Sequence, residues 1–158
     1  MDISPKQIIN LALKKQFRIS IAESCTGGLL TASLTEIPGS SEVIDRGYVT
    51  YSNQSKLDLL NVKKSTLYQH GAVSAETAKE MALGALEKSD SQLSISITGV
   101  AGPSHSEQKE VGLVYFGWAG IHVLTDSEHV NFGNLGREII RLKSVEYAIH
   151  ILYRILKI

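Results

Sequence analysis

Apolar positions in residues 4–16 recur at helical spacing, with Ile8, Ile9, Leu11 and Ala12 along one stretch. Ser4, Pro5 and Gln7 have the form of a capping box with proline in the first turn. An amphipathic helix is therefore expected there. The period then shortens to two across Phe17–Ala22 (FRISIA), which predicts a strand, and a polar turn, Glu23-Ser24-Cys25-Thr26-Gly27-Gly28, leads into a helical segment, Leu29–Leu34. Pro38-Gly39-Ser40-Ser41 breaks the chain. Gly47–Ser52 (GYVTYS) is β-branched and aromatic and reads as a strand, followed by a short helix over Lys56–Leu60. Ser65 and Ser74 have the position of N-caps, the second opening a helix from about Ala75 to Lys88. Leu93–Val100 (LSISITGV) alternates apolar with small residues and predicts a further strand. After Ala101-Gly102-Pro103 and a polar loop, Ser104–Glu110, come two strands, Val111–Ala119 and His122–Phe132, joined near Gly120. Ile140, Leu142, Val145, Ile149, Leu152 and Leu156 mark one long half-buried helix over Gly136–Lys157.

Early strand–helix alternation followed by a hairpin predicts an α/β protein, a three-layer α/β/α sandwich around a mixed, mostly parallel sheet, as one domain over residues 1–158. The composition, 43% hydrophobic and 20% charged, is that of a folded soluble chain. Sixteen basic and sixteen acidic side chains cancel, so no global field gathers nucleic acid or an anionic membrane. The single cysteine, Cys25, makes no internal disulfide and no cysteine-rich zinc site. No run approaches the ~20 apolar residues of a membrane span. MDISPKQ lacks the cationic start and apolar run of a secretory signal, so a cytoplasmic protein is expected.

Three loops follow strands, where open α/β sheets bind their ligands. In the first, Ser24, Thr26, Gly27 and Gly28 put hydroxyls and backbone N–H groups at a helix start, suited to a phosphate or a developing oxyanion; a capped helix with glycines for close packing explains the same residues. In the second, Tyr51 and Lys56 flank a polar turn. A lysine near a serine takes the serine proton if burial keeps its amine neutral, although most lysines on short helices are solvated. In the third, Thr98, Gly99 and Gly102 let a ligand approach the backbone. Arg137 and Arg141, one turn apart at the start of the last helix, are candidate phosphate ligands. No HExxH or close Cys–His set is present, and no metal is expected.

AESCTGG (Ala22–Gly28), GYVTYSNQSK (Gly47–Lys56), HGAVS (His70–Ser74), SITGVAGP (Ser96–Pro103) and VGLVYF (Val111–Phe116) follow one another in order. Together they resemble the CinA C-terminal domain family, also called the PncC or competence/damage-inducible family, over about residues 6–155. The resemblance implies the three-layer fold and nicotinamide-nucleotide amidohydrolase activity: nicotinamide mononucleotide and water give nicotinic acid mononucleotide and ammonia, with no cofactor. It implies that Ser24 matches the nucleophile, Lys56 its base, and Tyr51 a tyrosine beside them. Thr98, Gly99 and Gly102 match a ligand loop, and Arg137 an arginine near the substrate phosphate. It also implies self-association as a dimer or larger homo-oligomer. Longer relatives carry an N-terminal molybdopterin-binding-like domain, which this chain is expected to lack. The third loop departs from the family. Relatives usually follow its GP with a Gly-Gly stretch and a Lys-Pro-Val-Gly element, whereas this chain reads GPSHSEQKEVG, so substrate fit is expected to differ there. A non-catalytic pyridine-nucleotide-binding or adaptor domain is the alternative compatible with these loops.

Overall fold

The computed structural model describes residues 2–158; Met1, included in the expected span, lies outside them. Ser4 caps α1 (Pro5–Lys15), and the reciprocal bond from its own N–H to Gln7 Oε1 is 2.8 Å. Phe17 belongs to the end of this helix, because its N–H bonds the Ala12 carbonyl at 2.9 Å. The first strand, β1 (Ile19–Glu23), therefore starts two residues later than its alternation suggests and includes Glu23.

Next come α2 (Leu29–Thr35), a 3₁₀ turn (Ser40–Glu42), β2 (Ile44–Val49), α3 (Asn53–Leu60), α4 (Lys64–His70) and α5 (Ala75–Glu87). They are followed by β3 (Leu93–Gly99), β4 (Leu113–Gly120), β5 (Val123–Asn131) and α6 (Arg137–Leu156). Two boundaries correct the sequence reading. β2 ends at Val49 rather than Ser52, because the Ser52 hydroxyl accepts the Ser55 N–H at 3.1 Å and starts α3. Ser65 is no cap: α4 follows Lys63, whose N–H bonds Glu80 Oε1 of α5 at 2.8 Å, so the capping carboxylate comes from another helix. Ser74 does cap α5, accepting the Thr77 N–H.

The strands form one five-stranded sheet in the order β2-β1-β3-β4-β5. β1 pairs in parallel with β2 and β3, and β4 pairs antiparallel with both β3 and β5. Four strands thus share one direction, and β4 alone opposes them. Helices α1, α2 and α6 pack together on one face, and α3, α4 and α5 on the other, which completes the α/β/α layering. No helix among the described residues is long and apolar enough to cross a membrane.

The two faces are built differently. Ile19, Ile21, Leu93, Ile95 and Ile97 belong to the large apolar core with α1, α2 and α6. On the other face, the alternate positions of β3 are Ser94, Ser96 and Thr98. Ser94 Oγ donates to the Ala82 carbonyl of α5 at 2.5 Å, and Ser96 Oγ to that of Ala78 at 2.6 Å. Small polar side chains bring α5 close to the sheet while satisfying their own buried hydroxyls. The approach is tight enough to require glycine. A Cβ on Gly117 of β4 would lie 2.2 Å from the Ala78 carbonyl oxygen, and one on Gly84 of α5 1.9 Å from that of Leu60, at the end of α3.

Gly84 thus fixes α3 against α5. Alanine there gains about 1 kcal/mol of helix propensity, but overpacking costs about 1–3 kcal/mol. Gly84→Ala is expected to lower the urea midpoint with little change in the slope of the transition. A midpoint above that of wild type would show that α3 yields without cost.

Candidate active site

The three parallel strands β2, β1 and β3 end side by side, and the loops leaving them converge. Ser24 follows β1 directly, and its N–H bonds the Ile97 carbonyl of β3 at 2.9 Å. The turn after it is held by Glu23, whose side chain is fully buried. Its carboxylate accepts the Leu30 and Thr31 N–H groups at 2.9 and 3.0 Å and the Thr31 hydroxyl at 2.7 Å. Gly28, at the N-cap of α2, has no side chain to do this. The last residue of the strand therefore caps the helix across the turn and fixes where Ser24 sits.

Lys56 comes from the first turn of α3, and only 1% of its surface is exposed. Its Nζ lies 2.7 Å from the Thr50 carbonyl, 3.4 Å from that of Tyr51 and 3.1 Å from Ser24 Oγ. Burial pushes its ammonium down from 10.5 to about 8, while the Glu107 carboxylate works in the opposite direction. A neutral amine has two hydrogens and one lone pair. With the hydrogens on the two carbonyls, the lone pair is left for the Ser24 hydroxyl. This geometry suits general-base activation of a serine.

Cys25 is a different case. Its side chain packs in the apolar core, and burial pushes the thiol up to about 12, so it stays protonated at neutral pH.

Ser24, Cys25, Tyr51, Asn53, Lys56, Thr98, Gly99, Gly102 and Arg137 line one cavity of about 370 Å³, within the range of small-molecule sites. Tyr51 offers the dyad its carbonyl. Its hydroxyl instead accepts from Arg137 Nη2 at 2.7 Å, while Arg137 Nη1 donates to the Gly102 carbonyl at 2.7 Å. Arg137 thus links the second and third loops at the cavity rim. The Thr98 hydroxyl donates to the Ala72 carbonyl at 2.9 Å, tying β3 to the HGAVS segment. Gly99 is required because a Cβ would meet Leu113 and Val114 of β4 within 3 Å.

Four expected ligand residues lie elsewhere. Thr26, Gly27 and Gly28 are not in the cavity wall; Thr26 is fully buried, and the Gly27 N–H is bonded to the Ser24 carbonyl at 3.0 Å. Arg141, expected at the substrate, does not line the cavity either. Its Nε donates to the Cys25 carbonyl at 3.0 Å and its Nη2 to that of Thr26 at 3.2 Å. One helical turn beyond Arg137, it braces the Ser24 turn through those two carbonyls. Ala72, Val73, Val100, Ala101, Ser104, Ser106 and Glu107 complete the wall. Their motifs were visible in sequence, but nothing local marked them as neighbours of Ser24. Among the described residues, no group of three His, Cys, Asp or Glu side chains is placed to hold a metal ion.

Because Lys56 binds its proton more weakly folded than unfolded, the folded state gains stability as pH rises between about 8 and 10.5. Relative to Lys56→Met, wild type is expected to gain about 2 kcal/mol between pH 7 and 10. Urea unfolding of both proteins across that range measures it; parallel pH profiles would show that Lys56 is not held below its ordinary pKa.

A family model for the CinA C-terminal domain matches residues 2–156. A relative named nicotinamide-nucleotide amidohydrolase PncC, from Enterobacter agglomerans, is 46% identical over 145 residues, covering 89% of this chain and 87% of that protein. A CinA-like protein of Endomicrobium trichonymphae is 48% identical over 145 residues, covering 91% of this chain and 33% of the relative. The chain spans about a third of the length of several curated relatives it matches. The crystal structure of the competence/damage inducible protein CihA from Agrobacterium tumefaciens superposes with a TM-score of 0.93 at 42% identity, covering 98% of this chain and 93% of that one. With the motifs in order, the fold reproduced and the family model spanning nearly every residue, the chain belongs to the CinA C-terminal domain family.

Proposed function

We propose that the protein is an amidohydrolase that converts nicotinamide mononucleotide to nicotinic acid mononucleotide and ammonia, with Ser24 as nucleophile and Lys56 as its base. The observation that carries this reading is the 3.1 Å contact between Ser24 Oγ and a buried Lys56 amine whose other partners are backbone carbonyls. The name of the Enterobacter agglomerans relative supports the substrate.

Neutral Lys56 takes the Ser24 proton as Oγ attacks the carboxamide carbon. A backbone N–H of the turn after Ser24 is the donor for the developing oxyanion; that of Gly27 is already bonded within the turn. The Lys56 ammonium returns the proton to the leaving nitrogen, and ammonia departs. Water, deprotonated by Lys56, then hydrolyses the acyl-enzyme to the carboxylate product and free Ser24. Arg137 at the rim binds the phosphate, and loop residues Gly99 and Gly102 admit the ring. Ammonia release from nicotinamide mononucleotide, compared with nicotinamide and nicotinamide riboside, tests the reading directly.

Ser24→Ala is expected to abolish ammonia release while keeping the thermal midpoint within a few degrees, and Cys25→Ser to retain turnover. A folded, active Ser24→Ala protein would remove the nucleophile. The rate should climb with pH through about 8, as Lys56 loses its proton. Lys56→Arg should be inactive throughout, because guanidinium stays charged. A flat wild-type profile together with an active arginine variant would exclude the base.

Arg137→Ala is expected to weaken nicotinamide mononucleotide binding by about 1.5–3 kcal/mol, the worth of a charge-assisted hydrogen bond, and to leave nicotinamide riboside nearly unaffected. Calorimetric titration of both ligands distinguishes this from a general loosening of the rim, which would weaken both alike.

A further inference from the structure

The polar loop Ser104–Glu110 is built at a conformational cost. Glu107 and Gln108 both adopt left-handed backbone, with φ of 55° and 61°, between Ser106 and Lys109, which pair with each other. Two-residue turns of this kind favour Asn-Gly, and non-glycine residues with long side chains are strained there. What the strain achieves is the placement of one carboxylate. Glu107 Oε2 accepts the Ala72 N–H at 2.7 Å and Oε1 the Val73 N–H at 3.1 Å. Gly71 leaves room for it, since a Cβ there would lie 2.6 Å from Glu107 Oε1. Lys109 reinforces the clip from outside the cavity wall, donating to the His70 carbonyl at 2.8 Å and to that of Val73.

Glu107 itself lines the cavity with Ser24 and Lys56. Burial works to raise its pKa, but its two N–H bonds and the Lys109 ammonium, 3.4 Å away, outweigh it and hold the carboxyl below its ordinary value, so it is an anion at neutral pH. Arg137 lies on the same wall, and among the described residues it makes no ion pair with any carboxylate within 4.0 Å. A buried amine, a fixed carboxylate and an unpaired guanidinium therefore surround one small cavity. This is the complement of a zwitterion with a cationic ring at one end and a phosphate at the other.

We propose that Glu107 is the specificity-determining residue of this site: its clamped carboxylate faces the cationic pyridinium ring while Arg137 takes the phosphate. The inference rests on the mononucleotide reading above and adds to it the charge state of the ring that the site selects. The carboxylate oxygens retain acceptor capacity beyond the two N–H bonds, and their charge acts through space without displacing either.

The test uses nicotinamide mononucleotide and its 1,4-dihydro form, which has the same phosphate and an uncharged ring. Both are titrated calorimetrically into Ser24→Ala protein, where no turnover occurs. The oxidised, cationic ligand is expected to bind about tenfold more tightly, as for one partly screened charge pair. Adding Glu107→Gln, which keeps an oxygen for the Ala72 or Val73 N–H, should remove most of that preference by weakening the cationic ligand alone. Equal binding of the two ligands by Ser24→Ala protein, or a preference that survives Glu107→Gln, would overturn the role of Glu107 and leave the mononucleotide reading intact. Failure of both ligands to bind would overturn both. If Glu107→Gln does not fold, the ratio in Ser24→Ala protein alone decides.

Discussion

The site depends on keeping one lysine out of water. Lys56 is among the largest fully buried side chains of the protein, and its ammonium would stay protonated near pH 10 in the open. Depressing it to about 8 costs the fold on the order of 3 kcal/mol at neutral pH. Thr50 and Tyr51 turn their carbonyls inward to receive its hydrogens, which is why β2 stops where it does and α3 begins at once. The strand end, the helix start and the lysine form one device. Its cost in stability is the kind a folded chain accepts where reactivity needs it.

That device works only if α3 is held still, and the small-residue face of the sheet holds it. Ser94 and Ser96 anchor α5 by its own carbonyls, and Gly117 and Gly84 remove the side chains that would keep α5 away from the sheet and from α3. Position is transmitted from β3 and β4 through α5 to the end of the helix that carries Lys56. The opposite face can rely on ordinary apolar burial, because α1, α2 and α6 need to be stable there rather than close.

Most of this architecture was legible in the chain because it is periodic. FRISIA, LSISITGV and the long last helix repeat at two or at three to four residues, and each became an element close to its expected place. What escaped was whatever depends on partners distant in sequence. Glu80 caps α4 from 17 residues away, displacing Ser65 from that part. Glu107 reaches Ala72 across 35 residues. Glu23 looked like the first residue of a loop and proved to be the last of a strand, with its carboxylate capping the next helix. Ser24 and Lys56 were visible by residue type and motif, but no pattern in sequence reveals that 3.1 Å separates them.

Arg137 and Arg141 show how one helix serves two purposes with the same side chain. Spaced by one turn, they were indistinguishable as phosphate ligands by type and charge. Arg137, at the first position of α6, reaches over the strand ends to the rim. Arg141 meets the underside of the Ser24 turn and holds the Cys25 carbonyl. In a trans peptide the carbonyl and the following N–H point in opposite directions. Drawing the Cys25 carbonyl toward Arg141 therefore turns the Thr26 N–H away from α6. In the mechanism proposed above, an N–H of this turn is the oxyanion donor, and such donors work by being aimed before the reaction begins. Arg141 thus lies outside the cavity and holds two carbonyls of the turn that follows Ser24, so the two arginines fix different loops of one site.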